Sequence, residues 1–466
     1  MKKTILFLLF SVAAMVVLAL SNMIGLSGEN EPIPVVSGSS ESFAKVSQIL
    51  QNKCVDCHSP GMTRMPIYAE LPIAKQLMAN DIEKASARMI LSKPLYSGET
   101  SFTPIMLARL EGIIRKNTMP PNLYLMMHWT DNLTLDEKQI ILSWIGEERA
   151  KLPWSVDSTK ELKGEPVQPL PLKLDLDAKK VALGHKLFFD RLLSGDNTMS
   201  CASCHNLAKG GTDQAKVATG IRGQQGPINS PTVYNATYNL AQFWDGRAKD
   251  LQEQAAGPVA NLGEMGAQWD TVVEKLKQVS DYQIAFTESY PALGITKATV
   301  TDAIAHFEQS LVTSNSRFDQ YLRGNSTILT ANEKAGYELF KTNCASCHVG
   351  PALGGLSFEK MGVKTDYFKM RGGQLTEADN GRFNVSKQEK DRHFFKVPVL
   401  RNIEITFPYF HDGSVSNLAD AVNIMGKDQQ GKNFTSDETD KIVAFLKTLT
   451  GEYKGKLITQ VNNEGE

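Results

Sequence analysis

Cys201-Ala202-Ser203-Cys204-His205 opens a stretch that runs through Asn229-Ser230-Pro231-Thr232 and Gln242-Phe243-Trp244-Asp245-Gly246-Arg247 to Gly263-Glu264-Met265. Two cysteines separated by two residues and followed directly by a histidine suit covalent attachment of a c-type haem, with the histidine as proximal iron ligand. The pattern returns at Cys54-Val55-Asp56-Cys57-His58 and at Cys344-Ala345-Ser346-Cys347-His348. These motifs use all 6 cysteines of the chain. A disulfide framework would not need a histidine after each pair, and zinc would need pairs far apart in sequence to converge. Three covalently bound c-type haems are therefore expected, with His58, His205 and His348 on iron.

The 466 residues exceed one ordinary core and suggest about three domains, in agreement with the motif count. Hydrophobic residues at 42% and charged residues at 22% fit a globular protein. A net charge of −1 argues against a nucleic-acid partner. The fold class expected is mainly α: three cytochrome c-like haem domains in tandem, the middle one elaborated with long loops.

Met1-Lys2-Lys3 precedes a mostly apolar run, so residues 1–26 read as a signal peptide or membrane anchor. Export to the periplasm follows, either anchored or released after cleavage. Residues 27–41 form a polar tether, and 42–150 an N-terminal haem domain. There a helical pattern (Phe43, Val46, Ile49, Leu50) leads into Cys54. Thr134 with Glu137 makes a capping box ahead of Ile140, Ile141, Trp144 and Ile145. Between them, Met119 in Asn117-Thr118-Met119-Pro120-Pro121 is the first candidate for the sixth iron ligand, with Met126, Met127 and His128 as competitors.

Residues 151–173 are rich in proline and charge, and predict an extended spacer. The middle haem domain spans 174–326 and the C-terminal one 327–466. Gly184-His185-Lys186-Leu187-Phe188 and Gly336-Tyr337-Glu338-Leu339-Phe340 form an internal repeat. Its glycines would let the first and last helices of each haem domain approach closely. The closing helix of the middle domain is expected near Val300–Leu311, and Thr435 with Glu438 caps the last helix of the chain.

From Leu174 to Glu452 the chain resembles the bacterial di-haem cytochrome c peroxidases. The resemblance rests on Leu187-Phe188-Phe189-Asp190, Ser230-Pro231-Thr232-Val233, Phe243-Trp244-Asp245-Gly246-Arg247-Ala248, Gln254-Ala255-Ala256-Gly257-Pro258, Leu400-Arg401-Asn402 and Pro408-Tyr409-Phe410-His411. It implies a tri-haem member of that family that reduces hydrogen peroxide, with an added electron-input domain. The haem on Cys201 and Cys204 would be the peroxidatic centre. The haem on Cys344 and Cys347 would transfer electrons, with Met425 as its distal ligand. The resemblance gives Glu264 the acid–base role, places Gln254 and Phe243 in the distal pocket, and sets Trp244 between the two haems. It also implies a calcium ion at Asn229, Thr406 and Pro408. It leaves room for a homodimer and for membrane quinol, cytochrome c or a small copper protein as donor.

One departure matters. Many relatives carry a gating histidine where this chain has Ile221. Either no reductive activation is needed or another side chain closes the iron. Met265 is the substitute considered, because the interval from His205 to Met265 nearly equals that from His58 to Met119. Two other functions compete with the peroxidase: a tri-haem electron carrier without peroxide chemistry, and a di-haem-type oxidase acting on a protein partner.

Overall fold

The computed structural model describes residues 34–59, 71–126, 128, 131–155 and 157–463, together with part of 11–20. Met127 and most of segment 1–26 lie outside them. Among the described residues no helix is long and apolar enough to cross a membrane. The chain divides into two compact units, Met1–Lys151 and Leu152–Glu466. Little strand is present, and helices carry the fold.

In the first unit, α1 (Glu41–Lys53) starts where the Ser40 hydroxyl accepts the Phe43 N–H, and it delivers Cys54 at its end. Next, α2 (Pro104–Lys116) is capped by Thr103. The third helix, α3 (Leu135–Ala150), begins in the capping box predicted from Thr134 and Glu137, with both reciprocal bonds present. Trp144 is buried between Phe43, at 5.6 Å between ring centroids, and Phe102, edge-on at 5.0 Å. Val46, Leu50, Leu107, Ile141 and Ile145 complete the apolar centre.

The second unit holds the other two motifs. Helix α4 (Ala178–Phe189) crosses α6 (Lys297–Ser310), and between them in sequence runs α5 (Leu251–Ala260). Helix α7 (Ala331–Asn343) crosses α9 (Ser436–Lys447), with α8 (Leu418–Met425) preceding α9. Both crossings depend on glycine, as the repeat predicts. A Cβ at Gly184 would collide with the Ala303 carbonyl oxygen, and one at Gly336 with that of Lys441. These obstacles are backbone, so the helices would have to separate. Gly184→Ala is accordingly expected to cost about 1–3 kcal/mol or more, read from the denaturant midpoint of the haem-loaded protein.

The repeat extends further than the glycines. At one constant offset, Pro231, Asn235, Phe243, Trp244, Asp245 and Gly246 correspond to Pro398, Asn402, Phe410, His411, Asp412 and Gly413. The backbone repeats too. Asn235 and Asn402 both have φ 62°, while Phe243 and Phe410 have φ 67° and 69°. Each phenylalanine starts a tight loop closed by a bridge, Gln242 with Ala248 and Tyr409 with Val415. The two asparagines converge on one hydroxyl: Asn235 Nδ2 donates to Thr313 Oγ1 at 2.8 Å, and Asn402 Nδ2 at 2.9 Å. The lobes are thus two copies of one plan joined at Thr313, which is why they share a unit.

Two further features bind the lobes together. Segment 151–173 is not the extended spacer its prolines predict. Val167, Gln168 and Leu170 are buried, and Tyr337 donates its hydroxyl to Glu165 at 2.6 Å. Arg401 reaches the Gln168 carbonyl at 3.0 Å, the Pro351 carbonyl at 2.8 Å and Asp319 at 2.8 Å, with both charged groups fully buried. The prolines stiffen a strap that docks because its apolar side chains and carbonyls find partners. Lastly, Tyr453, Ile458 and Val461, beyond α9, belong to the apolar core of the middle lobe, with the Tyr453 ring edge-on to Tyr234 at 5.7 Å. A short ribbon, β1 (Phe358–Lys360) paired antiparallel with β2 (Phe394–Lys396), sits in the C-terminal lobe.

Candidate haem sites and the peroxidatic pocket

The three motif histidines are held alike. Each directs Nδ1 at a backbone carbonyl: His58 at Met89 (2.9 Å), His205 at Gly211 (3.2 Å) and His348 at Leu353 (3.1 Å). A carbonyl only accepts, so Nδ1 carries the proton and Nε2 keeps a lone pair for a metal. Burial depresses the His205 pKa and pulls that of His348 down to about 4, which keeps both rings neutral. No cysteine is in a disulfide. Burial pushes the Cys54 thiol up to about 12 and those of Cys57 and Cys204 to about 11, so these thiols are protonated as they stand. Among the described residues no cysteine joins a metal-binding group. Paired thiols beside an imidazole oriented by a backbone carbonyl fit a c-type haem at every motif.

Around the middle motif, the loop after α5 is tightly strapped. Ile221 donates its N–H to the Glu264 carbonyl at 2.7 Å, and Gly195 to that of Met265 at 2.8 Å. A Cβ at Gly220 would strike the Gly263 carbonyl. Asn261 Nδ2 donates to Glu264 Oε1 at 2.7 Å. Burial raises the Glu264 pKa against the opposing pull of Arg247 and Asn261, and its charge is felt at Cys204. The Arg247 guanidinium lies 3.5 Å from the Phe243 ring centroid. Phe243 in turn faces Gly257 on α5, which also carries the half-buried Gln254. A bulky side chain at φ 67° is an uncommon conformation, and such outliers cluster at functional sites.

Ile221 is 2% exposed and packs on Gly266; it is an anchor for the Glu264 loop. Met265 is 4% exposed within the apolar core of the lobe. His185 lies against Phe189 and Phe307, and His306 bonds the Asp302 carbonyl, as expected of structural residues.

Trp244 lies at the seam between the lobes. Its Nε1 donates to the Asn229 carbonyl at 3.0 Å, and its ring meets His411 edge to face at 6.4 Å. It shares a cluster with Met425, Phe368 and Phe395. The calcium candidates lie along the same seam. Asn229 is bonded to the His411 carbonyl, Thr406 packs against Gly210, and Pro408 is buried. In the first unit Met119 is half-buried, Met126 is exposed, and His128 stacks on Tyr124 at 3.9 Å.

Sequence reading missed two groups here. Asp379, His411 and Asp412 form an acidic cluster. Arg371 pairs with both aspartates, at 2.7 and 2.8 Å, and His411 Nε2 bonds Asp379 at 2.8 Å. The cluster is therefore a satisfied ion network. Glu308 on α6 leaves one carboxylate oxygen without a partner, and burial lifts its pKa to about 8. The extended Phe-x-Asp-Gly repeat could have flagged the first group; nothing in the sequence marks Glu308.

Three family models match the chain: "Di-haem cytochrome c peroxidase" over residues 178–327, "Haem-binding domain" over 16–147 and "Cytochrome c" over 333–450. Cytochrome c peroxidase Ccp of Escherichia coli is 44% identical over 421 residues, covering 88% of both proteins. Cytochrome c551 peroxidase of Nitrosomonas europaea is 46% identical over 304 residues, 64% of this chain and 89% of the relative. Among solved structures, a MauG-like protein associated with microbial copper homeostasis superimposes with a TM-score of 0.54 at 28% identity, covering 62% of this chain and 94% of that one. Haem motifs, repeated lobes, the Glu264 pocket and these likenesses converge: the chain is a haem-dependent peroxidase that belongs to the di-haem cytochrome c peroxidase family.

Proposed function

We propose that the protein carries three c-type haems and reduces hydrogen peroxide to two waters, taking up two electrons and two protons at the middle haem. The observation that carries the division of labour is a difference between the copies. In the repeat, α5 and α8 start at corresponding leucines, Leu251 and Leu418, each after a capping Asp250 or Asn417. Met425 on α8 then corresponds to Pro258 on α5. A thioether can serve as a haem-iron ligand and raise the potential, whereas proline offers no ligand atom. The bound haem would supply the redox chemistry of O–O cleavage. Glu264 takes the proton from the inner oxygen of peroxide and returns it to the departing one. Asn261 fixes one carboxylate oxygen, Phe243 walls the pocket, and Gln254 stands on the adjoining helix.

His348 and Met425 would hold the C-terminal haem, which would supply one-electron storage, and Trp244 lies at the seam between that lobe and the middle one. The N-terminal haem, ligated by His58 with Met119 the leading distal candidate over His128, would receive electrons from membrane quinol, cytochrome c or a small copper protein. Export to the periplasm, with residues 1–26 as cleaved signal or anchor, fits haem attachment outside the cytoplasmic membrane. Calcium at Asn229, Thr406 and Pro408 would brace the seam; one amide with backbone carbonyls suits a hard cation.

Turnover of peroxide by the fully oxidised protein, mixed with reduced donor, tests this reading. Activity is expected from the first cycle, because buried Ile221 supplies no ligand to close the iron. Ile221→His is expected to introduce a lag that pre-reduction abolishes. A parent protein that reduces its haems but never consumes peroxide would support the carrier alternative. Comparing quinol in membranes with soluble donors identifies the physiological source.

A further inference from the structure

Trp244 and His411 are counterparts in the internal repeat, and they meet at the seam between the lobes. Asn229 closes a ring of contacts around them. It donates its N–H to the His411 carbonyl at 2.8 Å, and its own carbonyl accepts the Trp244 indole N–H at 3.0 Å. The third side is the edge-to-face contact of the two aromatic groups, with 6.4 Å between centroids and 72° between planes. Hydrogen bonds hold the His411 backbone and the Trp244 nitrogen, but a ring contact of this kind is weak by itself and does not fix the imidazole plane.

That plane is set from the other side. His411 is 2% exposed, stacks on Phe395 at 4.2 Å, and donates from Nε2 to Asp379 Oδ1 at 2.8 Å. A carboxylate only accepts, so Nε2 carries the proton. Asp379 does not need this bond for itself. Arg371 donates to both its oxygens, at 2.7 and 3.1 Å, and Thr376 adds its N–H at 2.7 Å and its hydroxyl at 3.2 Å. Those four donors already match the accepting capacity of a carboxylate, so the further bond serves the imidazole. The Trp244 indole thus packs on a ring whose orientation a buried ion pair dictates. We propose that Asp379 is a positioning residue for electron exchange between the lobes: through His411 it holds Trp244 at the seam, so that the C-terminal and middle lobes stay in close contact there. One electron leaves the C-terminal lobe and arrives in the middle one, with no net change at Trp244, His411 or Asp379.

This inference rests on the reading above, in which electrons stored in the C-terminal lobe cross to the middle one. The haem-loaded protein, with its C-terminal haem reduced, is mixed with peroxide, and oxidation of that haem is followed by stopped-flow absorbance. His411→Phe keeps a ring but loses the bond to Asp379, which retains Arg371. Asp379→Asn keeps the size of the side chain but sets an amide against its donors. Each is expected to slow that oxidation about 10–100-fold, the usual cost of losing a partner that orients a functional ring. The second-order reaction of peroxide with the middle haem and the midpoint potential of the C-terminal haem should not change. Hydrogen–deuterium exchange gives a readout apart from turnover. The Asn229 and Lys396 amides, bonded to the His411 and Trp244 carbonyls, should exchange faster in both variants. Trp244→Phe should be slowed as well, and adding His411→Phe to it should slow it no further. Additive losses would overturn the inference, because His411 would then act apart from Trp244. So would a shifted potential, which would assign Asp379 to the haem itself, or Trp244→Phe or His411→Phe at the parent rate. A parent whose C-terminal haem is not oxidised on mixing with peroxide would remove the reading and the inference together. Should Asp379→Asn fail to fold, His411→Phe decides.

Discussion

Glu264→Gln is expected to lower kcat for peroxide by about 10²–10⁴-fold while every haem remains reducible by dithionite. The amide keeps the shape of the side chain and its place beside Asn261, but it can no longer accept and return a proton. Stopped-flow reduction of the haems, set beside steady-state turnover, separates the two effects. Retained turnover would remove Glu264 from the mechanism. The pH profile gives a second reading. Burial raises the Glu264 pKa above the ordinary range, and the carboxylate is the form that accepts the peroxide proton. Activity should therefore fall on the acid side as pH drops through this raised value. Asn261 opposes the rise by donating to Oε1. Asn261→Ala should move the acid limb of kcat/KM to higher pH without changing the haem spectra of the resting protein.

Asp319→Ala is expected to destabilise the second unit by about 3–5 kcal/mol, the cost of leaving a buried guanidinium without its counter-ion. Arg401 and Asp319 are both at 0% exposure and 2.8 Å apart. Asp319 also caps its own helix through the Ser316 N–H, at 3.0 Å. Arg401→Met combined with Asp319→Leu should recover part of the loss, because the orphaned charge is then gone. Urea titration of the haem-loaded protein, comparing Asp319→Leu and Arg401→Met with the double variant, gives the coupling. Additive losses would show that the pair acts through separate neighbours.

Much of this was legible in the sequence because the chemistry is local. The Cys-x-x-Cys-His spacing puts the histidine one turn from the first cysteine and directly after the second, and capping boxes at Thr134 and Thr435 mark helix starts. Gly184 and Gly336 could be read as close-approach sites because only a missing Cβ permits that crossing. Long-range facts were less accessible. Prolines in 151–173 report backbone stiffness, and stiffness suits a docked strap as well as a free spacer. The surroundings of Met265 and Ile221 could not be read from spacing, because they are formed by helices and loops distant in sequence. The full repeat is hard to read in the sequence because its best-preserved features are backbone conformations, such as the left-handed Phe243 and Phe410.

The segment after α9 has a consequence for how damage spreads. Tyr453, Ile458 and Val461 belong to the apolar core of the middle lobe, although they follow the helices of the C-terminal lobe in sequence. Truncating those side chains would open cavities in the lobe that carries Glu264. A lesion at the far end of one lobe is therefore felt as instability of the other.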